Sequence, residues 1–197
     1  MQYKSLYEQN EEMITILKRN KELMDVLEYI ETLKLPNFYI AAGSVFQTVW
    51  NYYDNNDLNY NIKDIDVIYY NSKDLSVDTD IKYYNLIDEF CKNKGYKYEI
   101  DVSNEARMHL WKKEKFNIDV EPYICSEDAI DKWIATVHAI GITKEKNNKK
   151  IYAPYGLSDI YSRTIRPIKH KYNAKEIYDK KAKSWSERFS NLNIIEW

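Results

Sequence analysis

The sequence predicts a mixed α/β or α+β domain, because short segments with strand character alternate with amphipathic helical segments along the chain. Two breaks in the pattern support this division. Pro36 and Asn37 end the first helical region, and Gly95 has the position of a glycine that ends a helix. The 197 residues are enough for one domain with a core and a small appendage. We therefore expect an N-terminal helical segment, residues 1–36, that packs on a core domain of residues 37–197.

The first part of the chain is expected to contain two helices, a strand and a third helix. Apolar residues recur at helical spacing within residues 5–33, and Asn20 is suited to cap the second helix. Residues 38–43, FYIAAG, have the composition of a short buried strand. Ser44 then has the position of an N-cap. The apolar residues after it are spaced to form one buried helical face: Phe46, Val49, Trp50 and Tyr53.

The rest of the chain continues the alternation. Residues 63–70, KDIDVIYY, carry the β-branched and aromatic side chains typical of a strand. The other predicted elements are a helix over 79–94, a strand over 96–103, a helix over 104–116, a helix over 126–140 capped by Ser126, a strand, turn and short helix over 149–164, and a final helix over 173–190.

The composition argues against several classes of protein. The formal net charge of −2 at pH 7 does not provide a broad basic surface for nucleic acid, although a small nucleotide remains compatible with it. Cys91 and Cys125 have neither metal-ligand spacing nor a disulfide framework. No apolar run has the length of a membrane span, and the first residues lack the apolar region of a signal peptide. We therefore expect a cytoplasmic protein without a membrane partner.

Two aspartates in the KDIDVIYY segment are candidate metal ligands. Asp64 and Asp66 are two residues apart on the predicted strand, so their carboxylates lie on the same face. Two carboxylates this close repel each other, and a divalent cation such as Mg²⁺ removes that repulsion. The pattern D-x-D is also common by chance, and a solvated pair at a strand entrance is the other interpretation.

The turn that follows the FYIAAG strand is a candidate phosphate site. Gly43 allows a close approach to the backbone, and the N–H groups at the start of the next helix favour an anion. The segment lacks the patterns of a P-loop, a dinucleotide-binding loop or a nucleophile elbow. An ordinary strand-to-helix turn capped by Ser44 fits the same residues.

The order of these features resembles the nucleotidyltransferase superfamily that includes DNA polymerase β: a strand, Gly-Ser, a helix, a loop, and a strand with D-x-D. The chain from about residue 38 onward is also similar to a bacterial nucleotidyltransferase-like family that was long described as a domain of unknown function. The segments that carry this similarity are AGSVFQTVWN, KDIDVIYY, NEARMHLW, SEDAIDKW, ATVHAIGI, APYGLSDIYSRTIRP and the tail rich in Lys and Trp.

The resemblance implies a polymerase β-like fold, in which a short mixed sheet is flanked by helices. It implies that Gly43 and Ser44 contact the phosphates of a nucleoside triphosphate, and that Asp64 and Asp66 hold two Mg²⁺ ions, with Mn²⁺ as an alternative. Some members of the family carry a basic residue shortly after the glycine, where this chain has Phe46. If that basic residue contacts the triphosphate, this chain differs from those members in its affinity for the nucleotide or in its preference among nucleotides.

Members of the superfamily usually add a third acidic residue from a neighbouring strand. The candidates here are Asp101 and Asp119, and Asp101 is preferred because it lies on a predicted strand directly before NEARMH. As a third metal ligand, Asp101 would help to deprotonate the attacking hydroxyl. Within NEARMH, Asn104 and Arg107 are the polar members implied to contact the nucleotide.

The function that follows is a metal-dependent transfer of a nucleoside monophosphate from an NTP to a hydroxyl of an acceptor, with release of pyrophosphate. The resemblance leaves the acceptor open. The alternative is a nucleotide-binding regulatory protein with the same fold and no turnover. The three histidines do not indicate a zinc site, and His138 is interpreted as a core residue on an apolar helical face.

Overall fold

The computed structural model describes residues 4–145 and 148–197. The first half of the chain contains α1 (Leu6–Leu17), α2 (Lys21–Thr32), β1 (Tyr39–Ala41), α3 (Gly43–Tyr53), β2 (Asp64–Tyr69), α4 (Val77–Lys94) and β3 (Glu99–Asn104). A 3₁₀ turn (Glu105–Arg107) leads into α5 (Met108–Phe116). The second half contains α6 (Ser126–Ile130), β4 (Gly141–Glu145), β5 (Asn148–Tyr152), α7 (Ser158–Tyr161), β6 (Thr164–Ile165), α8 (Lys175–Ser186) and β7 (Asn193–Ile194).

The main sheet has five strands in the order β3-β2-β1-β4-β5. Strands β2 and β3 are parallel, whereas β1 pairs antiparallel with β2 and with β4, and β4 pairs antiparallel with β5. The short strands β6 and β7 form a separate parallel pair. The architecture is therefore α+β with a mixed sheet flanked by helices, as the sequence predicts.

One large apolar cluster joins the sheet to the helices around it. Its members include Leu17 and Leu27 from the first two helices, Val67 from β2 and Trp185 from α8. Glu28 of α2 also forms ion pairs with lysines of β4 and β5 at 2.6 and 2.9 Å. The first two helices thus belong to the same core as the sheet.

Local capping explains several helix boundaries. The Asn20 side chain accepts a hydrogen bond from Leu23 N and caps α2, as expected. Gly95 ends α4 with φ of 77°, a conformation that glycine adopts without a steric penalty. Ser44 is not the N-cap of α3, because the helix begins at Gly43 and Ala42 precedes it as the cap residue.

The predicted helix over 126–140 is wrong beyond its first turn and a half. Helix α6 ends at Ile130, and Cys125 rather than Ser126 is its N-cap. The chain after α6 is held by tertiary pairing, in which Thr136 N donates to Arg166 O and Ile168 N donates to Ile134 O. Strand β4 follows at Gly141, and the sequence pattern does not predict this strand.

None of the helices in the described part of the chain combines the length and the apolar character needed to cross a lipid bilayer.

Candidate active site

Three aspartates lie side by side on the two parallel strands of the sheet. Asp66 of β2 is the register partner of Asp101 of β3, so the two residues occupy neighbouring positions on one face. Asp64 lies two residues before Asp66, on the same face of β2. The structure therefore brings together the three carboxylates that the sequence singles out.

These aspartates line a cavity of about 980 Å³, which is at the upper end of the roughly 300–1,000 Å³ typical of small-molecule sites. The turn before α3, the start of α4, the start of α5, the segment after α6 and one face of α8 form the other walls. These walls carry both polar side chains and large aromatic rings. The principal members are Gly43, Asp64, Asp66, Asp101, Glu105, Arg107, Lys112, Trp133, His138, Lys181, Trp185 and Arg188.

The electrostatic environment of Asp66 is unfavourable for a free carboxylate. Burial raises the pKa of Asp66 to about 7, with further raising effects from the charges of Asp64 and Asp101. Lys181 acts in the opposite direction but does not compensate for these effects. The site therefore concentrates negative charge that the protein alone does not neutralise.

Gly43 lines the cavity at the point where β1 turns into α3. A Cβ atom at this position would lie 2.8 Å from Gln47 Nε2 and 3.9 Å from Asp64 Oδ1, so a larger residue would intrude between the turn and the carboxylate. Ala42, just before it, has φ of 54°, which is a strained conformation for a residue with a Cβ. The turn thus keeps the N-terminus of α3 open towards Asp64.

Ser44 does not line the cavity. Its side chain is buried, and Oγ donates a hydrogen bond of 3.4 Å to the carbonyl of Ala41. It therefore closes the turn from within. Of the residues expected at the phosphates, the structure brings Gly43 to the cavity and turns the Ser44 hydroxyl away from it.

Asn104 is also turned away from the cavity and braces two loops. Its Oδ1 accepts from Asn71 N at 2.9 Å and Ala106 N at 3.1 Å, while Nδ2 donates to the carbonyls of Asn71 and Asp74 at 2.9 and 2.8 Å. These bonds use the whole side-chain amide, and Asn104 is fully buried. The geometry fits a structural role and not the expected contact with a nucleotide.

Arg107 lines the cavity, and its guanidinium is held at the wall. It lies 3.5 Å from Asp80, whose other oxygen accepts from the Tyr69 hydroxyl at 2.7 Å. Burial raises the pKa of Asp80, and the bonds from Tyr69 and Arg107 oppose that shift. Arg107 is thus available to the cavity with one side anchored.

The two candidates for the third carboxylate lie in different environments. Asp101 lines the cavity beside Asp66, whereas Asp119 is exposed and forms an ion pair of 2.7 Å with Lys113 outside it. Of the two, only Asp101 lies on a strand next to Asp66, which is where the resemblance implies a third acidic residue.

The sequence pattern does not place Glu105 or His138 in the cavity, because their environment depends on distant parts of the chain. Glu105 is 5% exposed, and its side chain makes no hydrogen bond or ion pair with any residue in the described ranges; burial raises its pKa to about 8. His138 lies in a turn and not on a helix, between the rings of Trp133 and Trp185. The position of Glu105 directly after a strand was the one local signal that could have indicated it.

The donor chemistry fits a divalent cation. No three His, Cys, Asp or Glu side chains in the described parts of the chain are gathered into a ready-made ion-binding cluster. The three aspartates nevertheless supply hard oxygen donors to one cavity, and their mutual repulsion is of the kind that a bound cation relieves.

A mixed sheet that presents three carboxylates from two parallel strands towards a glycine turn defines a nucleotidyltransferase fold of the polymerase β type. A family model described as nucleotidyltransferase matches residues 28–194, and the chain belongs to this family. The chain is also similar to a solved structure described as an NMR structure that reveals a CCA-adding enzyme head domain. The TM-score is 0.78 at 25% identity, and the match covers 96% of this chain and 97% of that one. A comparison with curated proteins gave no match.

Proposed function

We propose that this nucleotidyltransferase moves a nucleoside monophosphate from an NTP to a hydroxyl group of an acceptor, in a reaction that depends on Mg²⁺ and releases pyrophosphate. The observation that carries the proposal is the row of Asp64, Asp66 and Asp101 on two parallel strands, which faces the Gly43 turn across one cavity. The family match supports a nucleotide as one substrate.

The chemistry is an in-line displacement at the α-phosphorus. The acceptor oxygen forms a bond to that phosphorus while the bond to the β-phosphate oxygen breaks, and the bonding electrons leave with pyrophosphate. The proton of the acceptor hydroxyl passes to a base, for which Asp101 is the candidate because it lies on the outer strand of the carboxylate row. Positioning and charge stabilisation supply most of the catalysis in such transfers.

Asp64, Asp66 and Asp101 are the proposed ligands of Mg²⁺, with Mn²⁺ as an alternative. A bound cation would neutralise charge on the phosphates and lower the pKa of the acceptor hydroxyl. The open N-terminus of α3 at Gly43 would contribute backbone N–H groups to a phosphate. Arg107, anchored by Asp80, would contact the nucleotide or an acidic group of the acceptor.

The cavity and the charge of the chain favour a small acceptor. The cavity volume of about 980 Å³ accommodates a nucleotide with a second small molecule. The formal net charge of −2 does not favour a nucleic acid as acceptor. An affinity for RNA or DNA that fell steeply with added salt would contradict this part of the proposal.

The first experiment is to measure the melting temperature with each NTP, with and without Mg²⁺, for the wild type, Asp64→Asn and Asp66→Asn. A ligand that binds only the folded state raises the melting temperature. At a hundredfold excess over its Kd, it adds about 2.7 kcal/mol to the free energy of unfolding. We expect a rise that requires Mg²⁺ in the wild type and disappears in both variants.

Asp119→Asn is the matched control, because it makes the same chemical change at an exposed carboxylate outside the cavity. A variant Asp66→Asn protein that bound NTP with Mg²⁺ as well as the wild type would overturn the proposal. Binding that requires Mg²⁺ but releases no pyrophosphate with any acceptor would instead favour the regulatory alternative.

A further inference from the structure

The cationic side chains of the cavity differ in how they are held. Arg107 and Lys132 each form an ion pair with a carboxylate, at 3.5 and 2.6 Å. Four others, Lys63, Lys112, Lys181 and Arg188, line the same cavity but form no ion pair with any residue in the parts of the chain that the structure describes. Lys181 acts electrostatically on Asp66 and Arg188 on Asp64, so these two bring uncompensated positive charge to the aspartates.

Both residues belong to one face at the end of α8. Lys181 lies on the helix, and Arg188 lies seven residues later in the turn that follows, where Arg188 N donates to Trp185 O. Ser184 and Trp185, at intermediate spacing, also line the cavity. A spacing of three, four and seven residues places side chains on the same helical face.

Lys181 is oriented by a neutral partner. Its Nζ lies 3.4 Å from Nε2 of His138, and an ammonium group can only donate, so the imidazole nitrogen accepts. Burial and the charge of Lys181 hold the pKa of His138 well below its usual value. The contact therefore positions the ammonium group without cancelling its charge.

Arg188 is held in the same way. Its Nη1 donates to Gln47 Oε1 at 3.2 Å and to the carbonyl of Asn61 at 3.0 Å, and its Nε donates to the carbonyl of Ser184 at 3.1 Å. All three partners are neutral. By contrast, Arg163 and Arg166 each form an ion pair with a charged partner, Asp54 and Asp159 respectively.

The two cations face the two carboxylates of β2. Lys181 acts electrostatically on Asp66, and Arg188 on Asp64, although neither pair is close enough to form an ion pair. The space between them is thus bounded by negative charge on the sheet and positive charge on α8 and the turn after it. A metal–polyphosphate complex has the matching distribution, with its cation towards the carboxylates and its phosphate oxygens towards the helix.

We propose that Lys181 and Arg188 form a binding site for the polyphosphate tail of the nucleotide and for the pyrophosphate that leaves. The proposal rests on the proposed function in one respect, namely that the natural polyphosphate is that of an NTP. The site itself is a property of α8 and the turn after it, and simple inorganic tripolyphosphate should bind there without a nucleoside.

The test is calorimetric titration of the protein with inorganic tripolyphosphate, in the presence of Mg²⁺ and at fixed ionic strength. Lys181→Met should weaken binding roughly tenfold, as expected for the loss of one charge-assisted contact. Lys180→Met is the matched control, since it removes the same charge from the neighbouring exposed position of α8 and should change affinity less than twofold. Lys181→Arg should restore most of the binding.

Several outcomes would overturn the proposal. The proposal fails if tripolyphosphate does not bind to the wild type, or if the Lys181→Met and Lys180→Met proteins bind tripolyphosphate with equal affinity. Displacement of tripolyphosphate by a nucleoside monophosphate as readily as by the NTP would also overturn it, because the site would then hold another anionic group. If tripolyphosphate binding depends on Lys181 while no NTP binds, the polyphosphate site stands and the proposed function fails. Arg188→Gln should weaken binding in parallel, and its melting temperature without ligand reports any loss of the bonds to Gln47 and Asn61.

Discussion

Asp66 is buried and experiences the negative charges of both Asp64 and Asp101. In the unfolded chain its carboxyl group would titrate near the usual 3.8, whereas burial, Asp64 and Asp101 raise the pKa to about 7 in the folded protein. A difference of this size corresponds to about 4 kcal/mol between the two protonation states. The residue that the proposed function needs most is therefore one that the folded protein without metal tolerates poorly.

The raised pKa of Asp66 predicts how the stability of the folded protein depends on pH. Between pH 3.8 and about 7, the folded state keeps a proton that the unfolded state has lost, so the stabilising contribution of the protonated Asp66 declines through this window and is gone above it. We expect Asp66→Asn, in the presence of a chelator, to raise the free energy of unfolding at pH 8 by roughly 2 kcal/mol, because asparagine carries no charge to bury. Below pH 4 the difference should vanish.

The measurement is urea denaturation of both proteins across that pH range, with Asp119→Asn as the control at an exposed position. The control should show no gain that grows with pH. A destabilised Asp66→Asn at pH 8 would mean that the carboxylate is better solvated than the structure indicates. Addition of Mg²⁺ should stabilise the wild type but not Asp66→Asn.

At the scale of secondary-structure elements, a polar brace fixes the carboxylate row against α4. Asn104, at the end of β3, forms three hydrogen bonds with the backbone of the loop between β2 and α4, and its Oδ1 also accepts from Ala106 N. Asp80 of α4 accepts from the Tyr69 hydroxyl at the end of β2 and from Asn104 N. These contacts tie both aspartate-bearing strands to one helix.

Replacement of Asn104 should therefore affect folding more than chemistry. Asn104→Ala leaves buried N–H and C=O groups without partners, and we expect it to lower the free energy of unfolding by about 2–4 kcal/mol. Asn93→Ala, at an exposed position of α4, should change it by less than about 0.5 kcal/mol. Denaturation midpoints test the stability, and NTP affinity of the fraction that remains folded should stay within about threefold of the wild type. A fully stable variant that lost NTP binding would return Asn104 to the nucleotide site.

Elements whose boundaries are set locally could be predicted from the sequence, and those set by tertiary pairing could not. Asn20 and Gly95 mark helix ends through capping that depends only on neighbouring residues. The segment after Ile130 has apolar residues at helical spacing, but its backbone pairs with residues near Pro167, and this contact outweighs the helical pattern.

For the whole molecule, the same distinction separates the parts of the candidate site. Gly43, Asp64 and Asp66 were accessible because a turn and alternation on a strand suffice to place them, and Asp101 because the resemblance implies a third acidic residue on a neighbouring strand. His138, Lys181 and Arg188 reach the cavity from the last third of the chain. Their isolated sequence context is that of ordinary surface or core residues, and only the packing of α8 against the sheet brings them to the carboxylates.

The N-terminal helices share the apolar cluster of the sheet, so they are expected to unfold together with it. Leu27 of α2 and Val67 of β2 are both fully buried in that cluster. If the first 36 residues unfold together with the remainder, the whole protein has one common transition. Leu27→Ala should then lower its free energy of unfolding by about 2–5 kcal/mol and shift its midpoint down, and Val67→Ala should shift the midpoint of the same transition. Leu6→Ala, at a position 58% exposed, is the control and should have little effect. Circular dichroism and tryptophan fluorescence should report the same midpoint in each variant. Two separate transitions, with only the first shifted by Leu27→Ala, would show that the N-terminal helices are an independent unit and that the candidate site folds without them.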